Sequence, residues 1–177
     1  MNILVVYGTT EGQTRKIAER IVERIGEHGP SAELLDSISL PRDLDVGAYD
    51  AMIVAGSVHQ HRHQASVVHF VSEHLKQLNT KPTAFVSVSL AAELEEDERE
   101  AQGYVDRFLA ETGWRPTETV LVAGALRYTQ YDFFKRQIMK LIVWKGGGPT
   151  DADRDYEFTD WDAVSEFVDS FLEKISS

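Results

Sequence analysis

Residues 3–25 constrain this chain more than any other part of it, because two different periodicities meet there across a short polar loop. Ile3, Leu4, Val5 and Val6 form an unbroken apolar run of β-formers bounded by Gly8. That is the pattern of a strand buried on both faces, and so of a parallel sheet. From Arg15 onward the period changes. Ile17, Ile21, Val22 and Ile25 share one helical face, while Arg15, Lys16, Glu19 and Glu23 occupy the other,. The joining residues, 7–14, include Thr9, Thr10, Glu11, Gly12, Gln13 and Thr14. A loop of small hydroxyl residues and glycine at a helix N-terminus offers backbone N–H groups and hydroxyls to a phosphate. It lacks the lysine of a P-loop and the G-x-G-x-x-G of a dinucleotide site,. What remains is a phosphomonoester cradle built from Thr9, Thr10, Gln13 and Thr14, which suits flavin mononucleotide (FMN). The competing reading is an ordinary strand-to-helix turn, which also tends to carry Gly, Ser and Thr.

The same alternation continues along the chain. Residues 32–36 read as a second short strand, and Ala51, Met52, Ile53, Val54 and Ala55 as a third, ending at Gly56 and Ser57. A helix is expected over residues 64–78, with Val67, Val68, Phe70, Val71, Leu75 and Leu78 as its buried stripe,. A fourth strand covers residues 83–89. The acidic run 93–100 opens an exposed loop, which passes into a helix bearing Tyr104, Val105, Phe108 and Leu109. The fifth strand spans residues 119–125. Five such strands alternating with helices predict an α/β three-layer sandwich around a parallel sheet. Its expected order is 2-1-3-4-5, the flavodoxin-like arrangement, with ligands bound beyond the carboxyl ends of the strands. Three loops leave the strands there, at residues 8–14, 56–63 and 89–95.

After the fifth strand the chain carries more than this pattern requires. Residues 131–145 read as an extra amphipathic helix, closed by Gly146, Gly147, Gly148 and Pro149,. A last helix follows a capping signature at Thr159 and Asp160, with Trp161, Val164, Phe167, Val168, Phe171 and Ile175 at core spacing,.

Composition bounds the chemistry. The 177 residues suit one domain, and 42% are apolar,. There is no run long enough to span a bilayer and no leader segment before the first strand, so a cytoplasmic location is expected,. With no cysteine, thiolate nucleophiles, disulfides and cysteine-ligated metal centres are excluded, and redox chemistry falls to a bound cofactor,. The net charge of −11, from 29 acidic and 18 basic residues, disfavours nucleic acid as a partner,. Against that background Arg127, Lys135, Arg136, Lys140 and Lys145 cluster in a segment whose one acid is Asp132.

Several motifs occur together in one order: the loop of residues 9–14; Trp114, Arg115 and Pro116; Ala123, Gly124, Ala125, Leu126, Arg127 and Tyr128; Gly147, Gly148, Pro149, Thr150 and Asp151; and residues 156–161. In this the chain resembles the flavodoxin-domain family that contains the menaquinone-dependent protoporphyrinogen oxidases. The resemblance covers nearly the whole chain and makes it a single domain of residues 1–177, with residues 126–158 as a family-specific insertion. It implies an FMN oxidoreductase that oxidises a porphyrinogen-like substrate in heme biosynthesis and passes electrons to a membrane quinone, peripheral on the inner face of the cell membrane. It places the phosphate loop on Thr9, Thr10, Glu11, Gly12, Gln13 and Thr14, the second flavin loop on Ser57, Val58 and His59, and the third on Ser89, Leu90 and Ala91.

His59, His61 and His63 alternate, and on an extended segment they would face one way,. Either they form a metal site, or they belong to a polar loop over the flavin edge in which one imidazole exchanges protons. The expectation is that no metal is held. His59 and Arg127 are the candidate catalytic residues. The segment 128–145 combines Tyr131, Phe133, Phe134, Ile138, Met139 and Trp144 with basic side chains. It reads as a packed core helix, a membrane-surface helix or a lid over a flat apolar substrate. Arg127, Tyr128, Lys135, Arg136 and Lys140 are its candidate substrate or membrane contacts, the cations suiting carboxylates. Two readings compete with the enzyme: a soluble flavodoxin-type electron carrier, and a non-catalytic FMN-binding interaction module.

Overall fold

The apolar run at the N-terminus forms β1 (Asn2–Gly8), whose side chains divide by parity between two cores. Ile3, Val5 and Tyr7 enter one, and Leu4 and Val6 the other. Both faces are therefore covered, as an unbroken apolar strand requires. The computed structural model describes residues 1–93, 98–126 and 156–176. In chain order these form β1, α1 (Gln13–Glu27), β2 (Ser31–Asp36), β3 (Ala51–His59), β4 (Arg62–His63), α2 (Ala65–Glu73), α3 (Leu75–Leu78), β5 (Thr83–Ser89), α4 (Glu98–Thr112), β6 (Glu118–Ala123), β7 (Ala125–Leu126), β8 (Tyr156–Glu157) and α5 (Trp161–Ser176).

The long strands are all parallel, in the order β2-β1-β3-β5-β6, with the short β4 paired antiparallel to β3. Leaving β4 aside, this is the expected 2-1-3-4-5 order. One core lies between the sheet and helices α1 and α5, through Ile17, Ile21, Ile25, Phe167, Val168 and Phe171. The other lies beneath α2 and α4, through Phe70, Val71, Val105 and Phe108, and includes Trp114 and Phe85. Trp114 keeps its indole N–H satisfied by donating to Thr83 Oγ1 at 3.1 Å. Helix α1 is joined to α5 through Arg24, whose guanidinium meets both carboxylate oxygens of Asp169 at 2.7 Å. That bidentate contact holds the Asp169 carboxyl down to about 2,.

Three expectations change in detail. The helix foreseen over 64–78 is broken at His74 into α2 and α3. The fifth strand ends at Ala123, because Gly124 donates to Ser89 O and accepts from the backbone N–H of Phe158, which turns Ala125–Leu126 away to pair with Tyr156–Glu157. The acidic run is in part helical, since α4 already begins at Glu98. Residues 131–145, read as an extra helix, lie outside the described residues. The C-terminal helix starts as its signature predicts: Asp160 Oδ1 accepts from the backbone N–H groups of Asp162 and Ala163 at 3.0 Å,.

Candidate functional site

The loops after β1, β3 and β5 enclose one cleft at the carboxyl ends of the strands. Thr9, Thr10, Glu11, Gln13 and Thr14 line it from the first loop, Ser57, Val58 and His59 from the second, and Ser89, Leu90 and Ala91 from the third. Of the residues expected to hold a cofactor, Gly12 alone does not line the cleft, and it shapes the loop instead. Its φ of 93° is a left-handed conformation that favours glycine,. Its N–H donates to Thr9 Oγ1 at 2.8 Å.

Two features of the first loop fit a phosphate. Helix α1 begins at Gln13 with no side-chain cap and no acid in its first turn, so its N-terminal donors are not taken by a side chain,. Thr14 is fully buried, and among the described residues its Oγ1 has no hydrogen-bond partner. Groups buried in that way are rare unless a ligand or water completes them. The N-terminal amides of the helix and this hydroxyl suit a dianionic phosphomonoester. The Gln13 side chain is engaged elsewhere: its Nε2 donates to Thr159 Oγ1 at 2.9 Å, and Thr159 in turn donates to Ala123 O at 2.8 Å. Gln13 therefore ties the cradle to the segment ahead of α5, leaving its backbone amide for an anion. In the third loop Ser89 Oγ is likewise buried without a partner among the described residues.

The second loop departs from expectation. The three alternating histidines do not lie on an extended segment, because β3 runs on to His59 and folds back at once into β4. Gln60 and His61, at φ 48° and 64°, make the turn. Positive φ at both central residues is the pattern of a type I′ hairpin. The turn separates the imidazoles. His59 and His61 line the cleft, whereas His63 is 8% exposed and packs on Phe85 and Phe108, with ring centroids 5.1 and 4.8 Å away. Burial pulls the His63 pKa down to about 4, and its Nε2 lies 2.9 Å from Ser87 Oγ,. The reading of three converging imidazoles as a metal site is thereby overturned. Among the described residues no group of three His, Asp or Glu side chains stands ready for a metal ion.

Two site residues escaped the sequence reading. Gln64, just before α2, accepts from the backbone N–H of Ser57 at 3.1 Å through Oε1, and through Nε2 donates to Ser57 Oγ and to Thr10 Oγ1. It links the first two loops. Tyr104 of α4 lines the cleft, its ring centroid 5.8 Å from that of His61. In sequence Gln64 is only a polar residue ahead of a helix, and Tyr104 only one member of an apolar stripe. A second cleft adjoins the first across His61 and Tyr104 and carries Arg62 and Arg107. Arg127, Tyr128, Lys135, Arg136 and Lys140 lie outside the described residues.

Residues 4–153 match a family described as a flavodoxin domain. The chain is 32% identical over 169 residues to the protoporphyrinogen IX dehydrogenase [quinone] of Escherichia coli K12, covering 95% of this chain and 93% of that one. It is 29% identical to the protein of the same name from Leishmania major, of which it covers 73%. Among solved structures it is similar to an oxidised flavodoxin 1 from Bacillus cereus, with TM-score 0.60, 16% identity and 98% of each chain covered. A flavodoxin from the domain Archaea gives TM-score 0.58 and 17% identity, with 100% of each chain covered.

Proposed function

Since this chain belongs to the flavodoxin domain family and is an oxidoreductase with FMN as its cofactor, we propose that it dehydrogenates a protoporphyrinogen-like substrate and passes the electrons to a membrane quinone. The observation that carries this reading is the near end-to-end similarity, at 32% identity, to a relative named for that substrate and acceptor. The solved flavodoxins, at 16 and 17% identity, speak for the fold alone.

The bound flavin supplies an acceptor for two electrons or one, which lets a hydride-like oxidation be linked to a quinone. The chain's own residues would position and shield it. Thr9, Thr10 and Thr14 and the amides at the start of α1 would hold the phosphate. Ser57, Val58 and His59 would flank one side of the ring, and Ser89, Leu90 and Ala91 the other. Gln64 would keep the first two loops in register. For the substrate, Arg127, Tyr128, Lys135, Arg136 and Lys140 are the proposed contacts, with Arg127 foremost, because guanidinium and ammonium groups suit carboxylates. Arg62 and Arg107, on the cleft that adjoins the flavin cleft, favour an anionic substrate in the same way. Among the described residues no helix is long and apolar enough to cross a membrane. Contact with a membrane-held quinone is proposed to run through residues 126–158.

Anaerobic turnover of the FMN-loaded protein with protoporphyrinogen and a menaquinone analogue, followed by porphyrin fluorescence, tests the reading. Quinone-dependent growth of fluorescence, weakened in Arg127→Ala, is the expected result. No growth, in a protein whose flavin a flavodoxin reductase still reduces, would make it an electron carrier.

A further inference from the structure

We infer that His61 is the proton acceptor of this reaction, held as a base by Tyr104 and Glu100; the inference rests on the dehydrogenation proposed above. His61 Nδ1 lies 3.0 Å from Tyr104 Oη, and Tyr104 donates its hydroxyl proton to Glu100 Oε1, one helical turn earlier in α4. A phenol has one proton. With that proton committed to a carboxylate, Oη can only accept from His61, so Nδ1 carries the hydrogen. The neutral ring then bears its lone pair on Nε2, the arrangement by which a hydrogen bond at one imidazole nitrogen sets the chemistry of the other. Glu100 Oε1 is also 3.4 Å from Nδ1, so the carboxylate faces the same ring nitrogen as the phenol.

The placement of the residue points the same way. His61 sits at the hairpin tip with φ 64°, where glycine or asparagine is the usual occupant,. Its carbonyl accepts from Arg107 Nη1 at 3.2 Å, which fixes the tip against α4. It stands on the wall between the flavin cleft, lined by Ser57 and Ser89, and the adjoining cleft of Arg62 and Arg107. A substrate lying against both would meet it. A backbone conformation unfavourable for its residue, maintained by contacts from another element, is a feature that concentrates at functional sites.

In one two-electron dehydrogenation a C–H bond at a bridging carbon breaks and its hydrogen and electron pair leave to oxidised FMN. A pyrrole N–H bond breaks, its electron pair enters the new C=N conjugation, and the proton goes to His61 Nε2. The substrate is oxidised, the flavin is reduced, and the half-exposed imidazole returns the proton to water.

Two measurements test this. Long-range proton–nitrogen NMR of the FMN-loaded, nitrogen-15-labelled protein should show His61 with hydrogen on Nδ1, a preference lost in Tyr104→Phe. Hydrogen on Nε2 in the wild type overturns the inference. In anaerobic single turnover with protoporphyrinogen, His61→Gly, which suits the left-handed backbone, should bleach the flavin about 100-fold more slowly. Added imidazole should restore much of that rate. An unchanged rate, or a slow one that imidazole fails to raise, overturns the role of His61 alone. A wild-type flavin that protoporphyrinogen does not bleach overturns the proposed substrate, and this role with it.

Discussion

Gln64 Nε2 donates to Thr10 Oγ1 at 3.0 Å, joining the loop after β1 to a residue 54 positions later in the chain. The same amide group serves Ser57 at both its backbone N–H and its hydroxyl. One side chain therefore fixes the distance between the loops that would hold the phosphate and the ring.

Gln64→Ala should weaken FMN binding about tenfold while leaving the fold intact. Three neutral hydrogen bonds are lost at a net value of about 1 kcal/mol each, partly recovered by water. Fluorescence titration of the apoprotein with FMN measures the effect. An unchanged affinity would show that the loops hold their spacing without this bridge.

Thr14→Val separates binding from folding. The buried Thr14 hydroxyl has no protein partner among the described residues, so its removal should leave apoprotein stability unchanged or slightly raised. If it bonds the charged phosphate, its loss should cost about 1.5–3 kcal/mol of FMN affinity, roughly ten- to a hundredfold. Equal affinities in the two proteins would place the phosphate elsewhere.

His63 makes stability depend on acid. Its folded pKa, about 4, lies below the ordinary 6.5 because burial disfavours the charged ring. Between those values the unfolded chain binds a proton that the folded one does not. The contribution is therefore complete above about pH 6.5 and is lost as pH falls toward 4, by about 3 kcal/mol in all. His74, also drawn down by burial, acts in the same direction. Asp169, held to about 2, begins to lose its contribution only below its ordinary value of 3.8. Denaturant midpoints measured between pH 7 and 4 should fall in the wild type and fall less in His63→Gln.

Gly8 closes β1 where α2 begins, and a Cβ there would overlap Val67 Cγ2 and crowd the side chains of Gln64 and Ser37. Gly8→Ala should destabilise by about 1–3 kcal/mol, as overpacking does. Combined with Val67→Ala the cost should fall short of the sum of the two single changes, since the residues share one space. Thermal denaturation of the four proteins closes the cycle.

The sequence by itself determined the layered sheet and the position of its ligand edge. Runs such as Ile3 to Val6 and Met52 to Val54 are apolar on consecutive residues, and a strand with no polar face must be covered twice. The change to helical period after residue 14, and the capping aspartate at 160, are likewise local signals carried by neighbouring residues. The loop proposed to hold the phosphate was recognisable for the same reason, since its donors adjoin the strand and helix that aim them. The remainder of the cleft depended on contacts between residues distant in the chain. The hairpin at 59–62 was hidden because its turn is made by Gln60 and His61, neither of which announces a positive φ. That turn sends His63 into the core and His61 into the cleft, although their spacing in sequence is identical. Gln64 reaches Thr10 across 54 residues, and Tyr104 reaches His61 across 43. No periodicity encodes such meetings. Tertiary structure decided them, through the packing of α2 and α4 against one face of the sheet.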